Sequence, residues 1–221
     1  MLKLQKEKNK INEILLLGVF SLICLSFSIF RTVYTDTNVF LFLNWNLFLA
    51  FIPWALTSIA ITIPKLQNNR VVVTVILLIW LLFFPNALYI LTDLFHLGFK
   101  SSMPLWFDLI LILTFSWTGL LYGFFSLWDI EIILGKKINP KLIIVISIVF
   151  LFVGSFGISV GRYLRWNSWD IIKAPLQLFY DISNEIVNPL ENQRAWGMTL
   201  FMGIFLNMIY WSFKLIKRRE L

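Results

Sequence analysis

Long, almost uncharged apolar runs are the feature that most constrains this chain. Six such runs cover residues 12–30, 39–63, 71–91, 105–128, 141–161 and 196–213. Each matches the roughly 20 residues with which a helix crosses a hydrocarbon core of ~30 Å. Stretches such as "VVVTVILLIWLLFF" are continuously apolar, which favours helices over the alternating strands of a membrane β-barrel. We therefore predict an all-α membrane protein with six transmembrane helices, in which residues 1–221 form a single polytopic domain.

The charges of the chain are few and unevenly placed. Only 14% of the residues are charged, 59% are hydrophobic, and the formal net charge is +7. If the N-terminus is cytoplasmic, thirteen of the 19 lysines and arginines lie in cytoplasmic segments. Because cytoplasmic loops are enriched in basic residues, this bias predicts that both termini are cytoplasmic. The bilayer is then the predicted partner, with no nucleic acid. Asp129 and Glu131, beyond span 4, are predicted to be solvated charges on the cytoplasmic surface.

The longest polar connection, residues 162–195, is too polar to span a membrane and too aromatic for a free loop. Apolar residues recur within it at helical spacing, at Leu176, Phe179, Ile182 and Ile186. Proline is favoured in the first turn of a helix and cannot continue one, so Pro175 and Pro189 bracket this segment. We predict an amphipathic helix that lies in the outer interface between spans 5 and 6.

The segment "FFPNALYILTDLFHLG", residues 83–98, places polar groups at the end of a strongly apolar run. On a helix with about 100° per residue, one face about 80° wide holds Asn86, Tyr89, Asp93 and His96. At ~1.5 Å of rise per residue, Asp93 lies about 33 Å along the span, at the outer interface. The sequence therefore predicts a polar stripe on span 3 that reaches the outer surface.

Further charged residues are predicted at the same membrane level. Arg162 and Arg165 follow span 5, one helical turn apart, on the face that carries the glycines of that span. Asp108 opens span 4, and Asp170 follows the arginines in "RWNSWD". Ionisable groups near a bilayer are costly unless they are paired or hydrated. We therefore predict that these residues gather with the polar stripe of span 3.

Three functions are compatible with such a cluster. In the first, Arg162 and Arg165 bind an anionic small molecule or lipid headgroup, and Asp93 and His96 are the acid and base of a membrane enzyme. The remaining residues of that ligand-binding site are Asn86, Tyr89, Asp108 and Asp170. In the second, the stripe lines a route for a small solute or a proton. In the third, the cluster is a structural Asp–Arg network that joins spans 3, 4 and 5 in a membrane scaffold.

No motif in the chain predicts a cofactor or a metal. The GxSxG, HExxH, P-loop and GxGxxG patterns do not occur. A metal site built from Asp93 and His96 with Asp108 or Asp170 is disfavoured, because the chain has one histidine and its one cysteine lies in span 1. The pattern carries no signature of a particular oligomeric state.

Three segments carry a resemblance to a known family. "FFPNALYILTDLFHL", "PLWFDLILILTFSWTGLLYGF" and "GRYLRWNSWD" together resemble the bacterial multi-pass membrane proteins grouped as domain of unknown function 1361. The resemblance covers roughly residues 40–215. In that family a second proline often follows "PNA", where this chain has Leu88. Because no activity is established for the family, the resemblance implies a location in a bacterial cell membrane and no residue roles.

Overall fold

Helices dominate this chain, as a computed structural model that describes residues 2–98 and 103–218 shows, with side chains from Lys10 to Ile216. In chain order they are α1 (Leu2–Thr35), α2 (Phe42–Thr62), α3 (Pro64–Asn68), α4 (Arg70–Tyr89), α5 (Leu105–Leu134), α6 (Pro140–Ser159), α7 (Asp170–Lys173), α8 (Pro175–Val187) and α9 (Gln193–Arg218). A 3₁₀ helix, Ile90–His96, continues α4, and a π-helical turn, Val160–Leu164, continues α6. Lys100 and Arg219, which the topology prediction used, lie outside the described residues.

Six of the helical segments are long and apolar enough to cross a membrane, which confirms the predicted all-α, six-span class. They are Lys10–Thr35, Phe42–Thr62, Arg70–His96, Leu105–Leu134, Pro140–Leu164 and Gln193–Ile216. Because successive spans alternate in direction, α1 begins and α9 ends at the same end of the bundle. We name this the terminal end, and the opposite end the far end.

Asparagine caps set the helix starts at the two short connections of the terminal end. The side chain of Asn69 accepts hydrogen bonds from two backbone N–H groups in the first turn of α4. Asn139 accepts one from Lys141 at the start of α6, where Pro140 occupies the first turn. These caps satisfy donors that a helix leaves unpaired at its N-terminus, so each chain reversal needs only a few residues.

The central helix of the bundle is α5, which contacts α1, α2, α4 and α6. Its residues Leu111, Ile112, Phe115 and Leu127 are fully buried. α2 packs against both α4 and α5, whereas α9 attaches mainly through α6. The polar stripe on α4 and its 3₁₀ continuation lies between α2 and α6.

Glycines let α4 approach its neighbours closely. A methyl group at Gly157 of α6 would lie 2.5 Å from a carbon of Pro85. A methyl group at Gly119 of α5 would lie 2.8 Å from the carbonyl oxygen of Ala87. Neither distance is possible without a shift of the backbone or the proline ring, so close packing of α4 depends on these glycines.

Asp129 and Glu131 are buried, and the prediction that they are solvated flank charges is wrong. Asp129 lies 2.8 Å from the ammonium nitrogen of Lys10 in α1, and Glu131 lies 2.6 Å from that of Lys214 in α9. Hydroxyl groups of neighbouring helices also donate to both carboxylates. Because α5 continues to Leu134, both residues are helix positions that face other helices, and their ion pairs tie α1 and α9 to α5 at the terminal end.

A surface helix, α8, lies in the connection from α6 to α9, and Pro175 occupies its first turn as predicted. One face is apolar and exposed, with Leu176 85% and Phe179 73% exposed. The other face packs on the bundle, where Leu178 and Ile182 line a cavity. The position of this helix in the outer interface stays a prediction.

Candidate functional site

A cavity of about 480 Å³ lies at the far end among α2, α4, α6, α8 and the turn at residues 166–169. We name it the main cavity. Its polar lining comprises Asn46, Asn86, Tyr89, Asp93, His96, Asn167 and Ser168. Its apolar lining includes Leu49, Leu81, Leu82, Val153 and Phe156. On α4 the lining residues Leu81 and Leu82 lie nearer the terminal end than Asn86 and Tyr89, and on α2 Leu49 lies nearer that end than Asn46. This order makes the cavity amphipathic along the membrane normal.

Arg162, from the π-helical turn after α6, connects the polar groups of this cavity. Its Nη1 lies 3.1 Å from the Tyr89 hydroxyl, 3.2 Å from His96 Nε2 and 3.6 Å from Asp93 Oδ1. Its Nη2 donates to a backbone carbonyl of the 3₁₀ helix. Asp93, only 1% exposed, also accepts a hydrogen bond of 2.8 Å from Asn46. A guanidinium can only donate, so His96 Nε2 is the acceptor in this arrangement.

Asn86 and Ser168 serve the backbone around the proline of α4. Asn86 Nδ2 donates to the Phe83 carbonyl at 3.1 Å and to the Ser168 hydroxyl at 2.8 Å. That hydroxyl donates in turn to the Leu82 carbonyl at 3.0 Å. Pro85 has no N–H, so the Leu81 carbonyl loses its helical donor, and these two side chains donate to the neighbouring carbonyls of the same turn. The polar stripe thus has a structural role as well as a place in the cavity wall.

Tryptophans form the rim of the main cavity. The rings of Trp45 and Trp169 meet edge to face with centroids 6.1 Å apart. Trp166 donates its indole N–H to Asp181 of α8 at 2.9 Å, which fixes α8 over the cavity. None of these residues was predicted from the sequence to belong to the site. The aromatic enrichment of the segment after span 5 was the available signal.

Asn46 is a further residue of the site that was not among the predicted site residues. It belongs to a small or polar face of α2 together with Ala50, Pro53 and Thr57, spaced at the helical period. That pattern could have identified it. Its amide contact to Asp93 shows that this face of α2 packs on the polar stripe of α4.

Asp108 forms a separate ion pair with Arg31 of α1. Arg31 Nε lies 2.7 Å from Asp108 Oδ1, and Nη2 lies 3.4 Å from Oδ2. The two side chains are 2% and 0% exposed. Asp108 does not line the main cavity. The predicted network is therefore divided, because Asp93 joins span 3 to span 5 whereas Asp108 joins span 4 to span 1.

Arg165 and Asp170 lie outside the lining of the main cavity, and Asp170 is linked to it only through Asn167. Arg165 is exposed and makes no hydrogen bond or ion pair within the part of the chain that the structure describes. It adopts a left-handed backbone with φ of 59°, directly after the π-helical turn, so it no longer shares a helical face with Arg162. Asp170 opens α7 and accepts from the backbone and side chain of Asn167. Neither residue lines the main cavity.

The bundle is filled between the main cavity and the terminal end. Trp80, Phe84, Leu127 and Leu151 are fully buried there, in a cluster contributed by α4, α5 and α6. Trp80 donates its indole N–H to Ser126 at 2.9 Å, so even its polar atom is paired. The main cavity is therefore a pocket at the far end rather than a passage through the described bundle.

A family model described as "Protein of unknown function (DUF1361)" matches residues 45–209 of the chain. This covers well over half of the sequence. The chain belongs to this family. No curated protein and no solved structure matches the chain.

The DUF1361 region includes every polar residue of the main cavity and Arg162, and it excludes Arg31. Within residues 2–98 and 103–218, no group of three or more His, Cys, Asp or Glu side chains is arranged to hold a metal. What a DUF1361 protein of this geometry offers is an amphipathic cavity with hydrogen-bonding groups, a carboxylate and an imidazole at one end.

Proposed function

We propose that this protein binds an amphipathic molecule in the main cavity, with an anionic headgroup at its polar end. The carrying observation is the arrangement of the lining, in which Asn46, Tyr89 and His96 lie toward the far end and Leu49 and Phe156 lie deeper. The volume of about 480 Å³ falls within the range typical of small-molecule sites. A lipid or lipid-like molecule matches both the polarity and the size.

Tyr89 supports an anionic rather than a neutral headgroup. Its hydroxyl accepts a hydrogen bond from Arg162, which leaves its own proton for an acceptor in the cavity. A donor that is itself polarised by a guanidinium binds an anionic oxygen more strongly than a neutral one. In this proposal Arg162 acts through Tyr89, because its Nη atoms are already bonded to groups of the 3₁₀ helix.

Catalysis is the second candidate function, because Asp93 and His96 both line the main cavity. His96 Nε2 accepts from Arg162, so an acid or base role for this atom requires that bond to open when a ligand enters. Asp93 is balanced by Asn46 and Arg162, so it would hold and orient rather than attack. Release of a product from a bound lipid by the wild type would support catalysis, provided that His96→Ala still binds the lipid and no longer releases the product.

We further propose that both termini are cytoplasmic and that the main cavity faces the outer side of a bacterial cell membrane. The basic bias of the terminal-end segments supports this orientation. A transporter is less favoured, because Trp80 and Phe84 fill the bundle beneath the cavity. A solute route would need this cluster to separate.

The ligand-binding proposal is tested with purified protein in detergent. Bound lipids are extracted and quantified per protein, and melting is followed against single-chain phosphates, carboxylates and neutral glycerides. Val153→Trp should fill the apolar part of the main cavity and reduce retained lipid. Val149→Trp, one turn away on the same exposed side of α6, does not touch the cavity and should behave as wild type. Equal lipid retention by Val153→Trp and Val149→Trp contradicts the proposal.

The headgroup preference has its own variant. Tyr89→Phe removes the donor. The variant should need about ten times more anionic single-chain lipid for the same shift in melting temperature, since a hydrogen bond to a charged group contributes ~1.5–3 kcal/mol. Tyr34→Phe alters an exposed tyrosine outside the main cavity and serves as the control. An unchanged preference in Tyr89→Phe would remove the anionic assignment and leave only apolar binding.

A further inference from the structure

Glu185 of α8 differs from the other buried carboxylates of the described chain. Asp93, Asp108, Asp129 and Glu131 each lie within 4.0 Å of a lysine or arginine nitrogen. Glu185 is only 6% exposed, and it forms no ion pair with the described residues. Its Oε2 is buried without a hydrogen-bond partner in that part of the chain. A buried carboxylate in this state is costly, so the group either holds a proton or gains a cationic partner from outside the described chain.

Glu185 lines an open pocket of about 500 Å³ that is distinct from the main cavity. The pocket lies between Tyr163 after α6, Glu185 of α8, and the segment that starts α9. Its other charged groups are Glu191 and Arg194, both exposed. Neither of these two side chains makes an ion pair with a described residue. We name this the α8–α9 pocket.

The position of Glu185 is fixed by bonds on both sides of the pocket. The indole N–H of Trp196 in α9 donates to the Glu185 backbone carbonyl at 2.8 Å. Asn192 donates to the carbonyls of Asn184 and Asn188 at 3.4 and 3.1 Å. These bonds hold the end of α8 on the start of α9, so the unpartnered carboxylate oxygen belongs to a built wall of the pocket.

The chemistry of the pocket suits an organic ammonium better than a metal ion. A calcium ion takes six to eight oxygen ligands, and no cluster of three or more His, Cys, Asp or Glu groups occurs among the described residues. A primary ammonium has three N–H donors and can bond to a single carboxylate. Arg194, on the same pocket, can bind an anionic group of the same molecule.

We propose that the α8–α9 pocket binds a zwitterionic molecule that carries a primary ammonium and a phosphate, with the ammonium on Glu185 and the phosphate on Arg194. Phosphoethanolamine, free or as a lipid headgroup, has this chemistry. α6 ends and α9 begins beside the pocket, at the level where spanning helices leave the hydrocarbon, which places lipid headgroups within reach.

The titration of Glu185 agrees with this assignment. Burial raises the pKa of its carboxyl above the ordinary value. A bound ammonium would lower that pKa, because it stabilises the carboxylate. Ammonium binding should therefore weaken as the pH falls through the raised pKa and the carboxyl takes up a proton. Tyr163, Glu191 and Arg194 are the other titratable or charged groups that line the pocket.

The test measures binding and melting of the full chain in detergent with O-phosphoethanolamine as the probe. Glycerol 3-phosphate, which has no ammonium, and phosphocholine, which has no N–H, are the matched ligand controls. We expect melting to rise only with phosphoethanolamine, and Glu185→Gln to weaken its binding at least about tenfold. Asp170→Asn, a carboxylate outside the pocket, should bind as wild type. A second arm compares nanodiscs that contain phosphatidylethanolamine with nanodiscs that contain phosphatidylglycerol.

A response in either arm that Glu185→Gln abolishes supports the site, and the arm that responds identifies a free or lipid-borne ligand. Equal responses to phosphoethanolamine and glycerol 3-phosphate overturn it, as does binding by Glu185→Gln within threefold of wild type. If Glu185→Gln does not fold, Arg194→Gln and the pH dependence of wild-type binding decide. Val153→Trp should leave this binding unchanged, so failure of the main-cavity proposal is distinguishable from failure here.

Discussion

Charged side chains that are buried in the bundle form ion pairs with side chains of other helices. The Arg31–Asp108 pair shows how much such a pair contributes to stability. Asp108→Asn leaves the guanidinium of Arg31 buried without its counter-charge. Removal of one partner from a buried pair typically costs about 3–5 kcal/mol, so the unfolding temperature in detergent should fall steeply. The double variant Arg31→Met with Asp108→Leu should recover most of the loss. Arg165→Met, at an exposed arginine, is the control and should melt as wild type.

Glu185 gives a prediction about pH. Its folded-state pKa is raised by burial, so the folded chain holds this proton more tightly than the unfolded chain does. Stability from this group is therefore present below the ordinary carboxyl pKa and is lost as the pH rises through the raised value. Melting of wild type and Glu185→Gln is compared between about pH 4 and pH 8 without added amine. Wild type should lose stability relative to the variant toward high pH, and a constant difference would contradict this.

The polar residues of span 3 were predictable because their pattern is local. Asn86, Tyr89, Asp93 and His96 share one face of a single helix, and helical periodicity is enough to show this. Their partners were harder to predict, because the choice between Arg31 and Arg162 depends on which helices pack together. The prediction that Arg165 joins the polar cluster assumed a regular helix. The π-helical turn and the left-handed backbone at Arg165 break that regular period.

At the level of whole elements, Gly157 allows the close approach of α4 and α6, two helices that form walls of the main cavity. Gly157→Ala would place a methyl group 2.5 Å from Pro85, which has a rigid ring. Overpacking of this kind costs about 1–3 kcal/mol, so melting should fall. Gly197→Ala in α9 meets no atom within 4 Å and should be neutral or slightly stabilising, because alanine favours a helix over glycine. Equal effects of the two substitutions would contradict the close approach of α4 and α6.

Apolar runs predicted the spanning helices well, and their ends less well. Hydropathy scores the preference of each residue for an apolar environment, so the predicted span 4 ends before the charged Asp129. The helix α5 continues to Leu134. The extra turns are stabilised by Lys10, 119 residues from Asp129 in sequence, and by Lys214, 83 residues from Glu131. A local window contains no information about such partners. For the same reason Ser168 could not be placed in the cavity wall from its own segment.

For the whole molecule, the decisive property is orientation, because it determines from which side a ligand reaches the main cavity. Cys24 is fully buried, so the wild-type chain should react little with maleimides and single cysteines can be added at the surface. Lys137→Cys lies in the terminal-end turn between α5 and α6, and Arg165→Cys lies in the exposed far-end connection. If basic residues retain the terminal end in the cytoplasm, a membrane-impermeant maleimide added to intact cells should label Arg165→Cys and not Lys137→Cys. Both should be labelled after lysis, which controls for accessibility. The opposite pattern in intact cells would place the main cavity and the α8–α9 pocket on the cytoplasmic side, where their ligands would have to be sought among cytoplasmic-leaflet lipids and soluble amines.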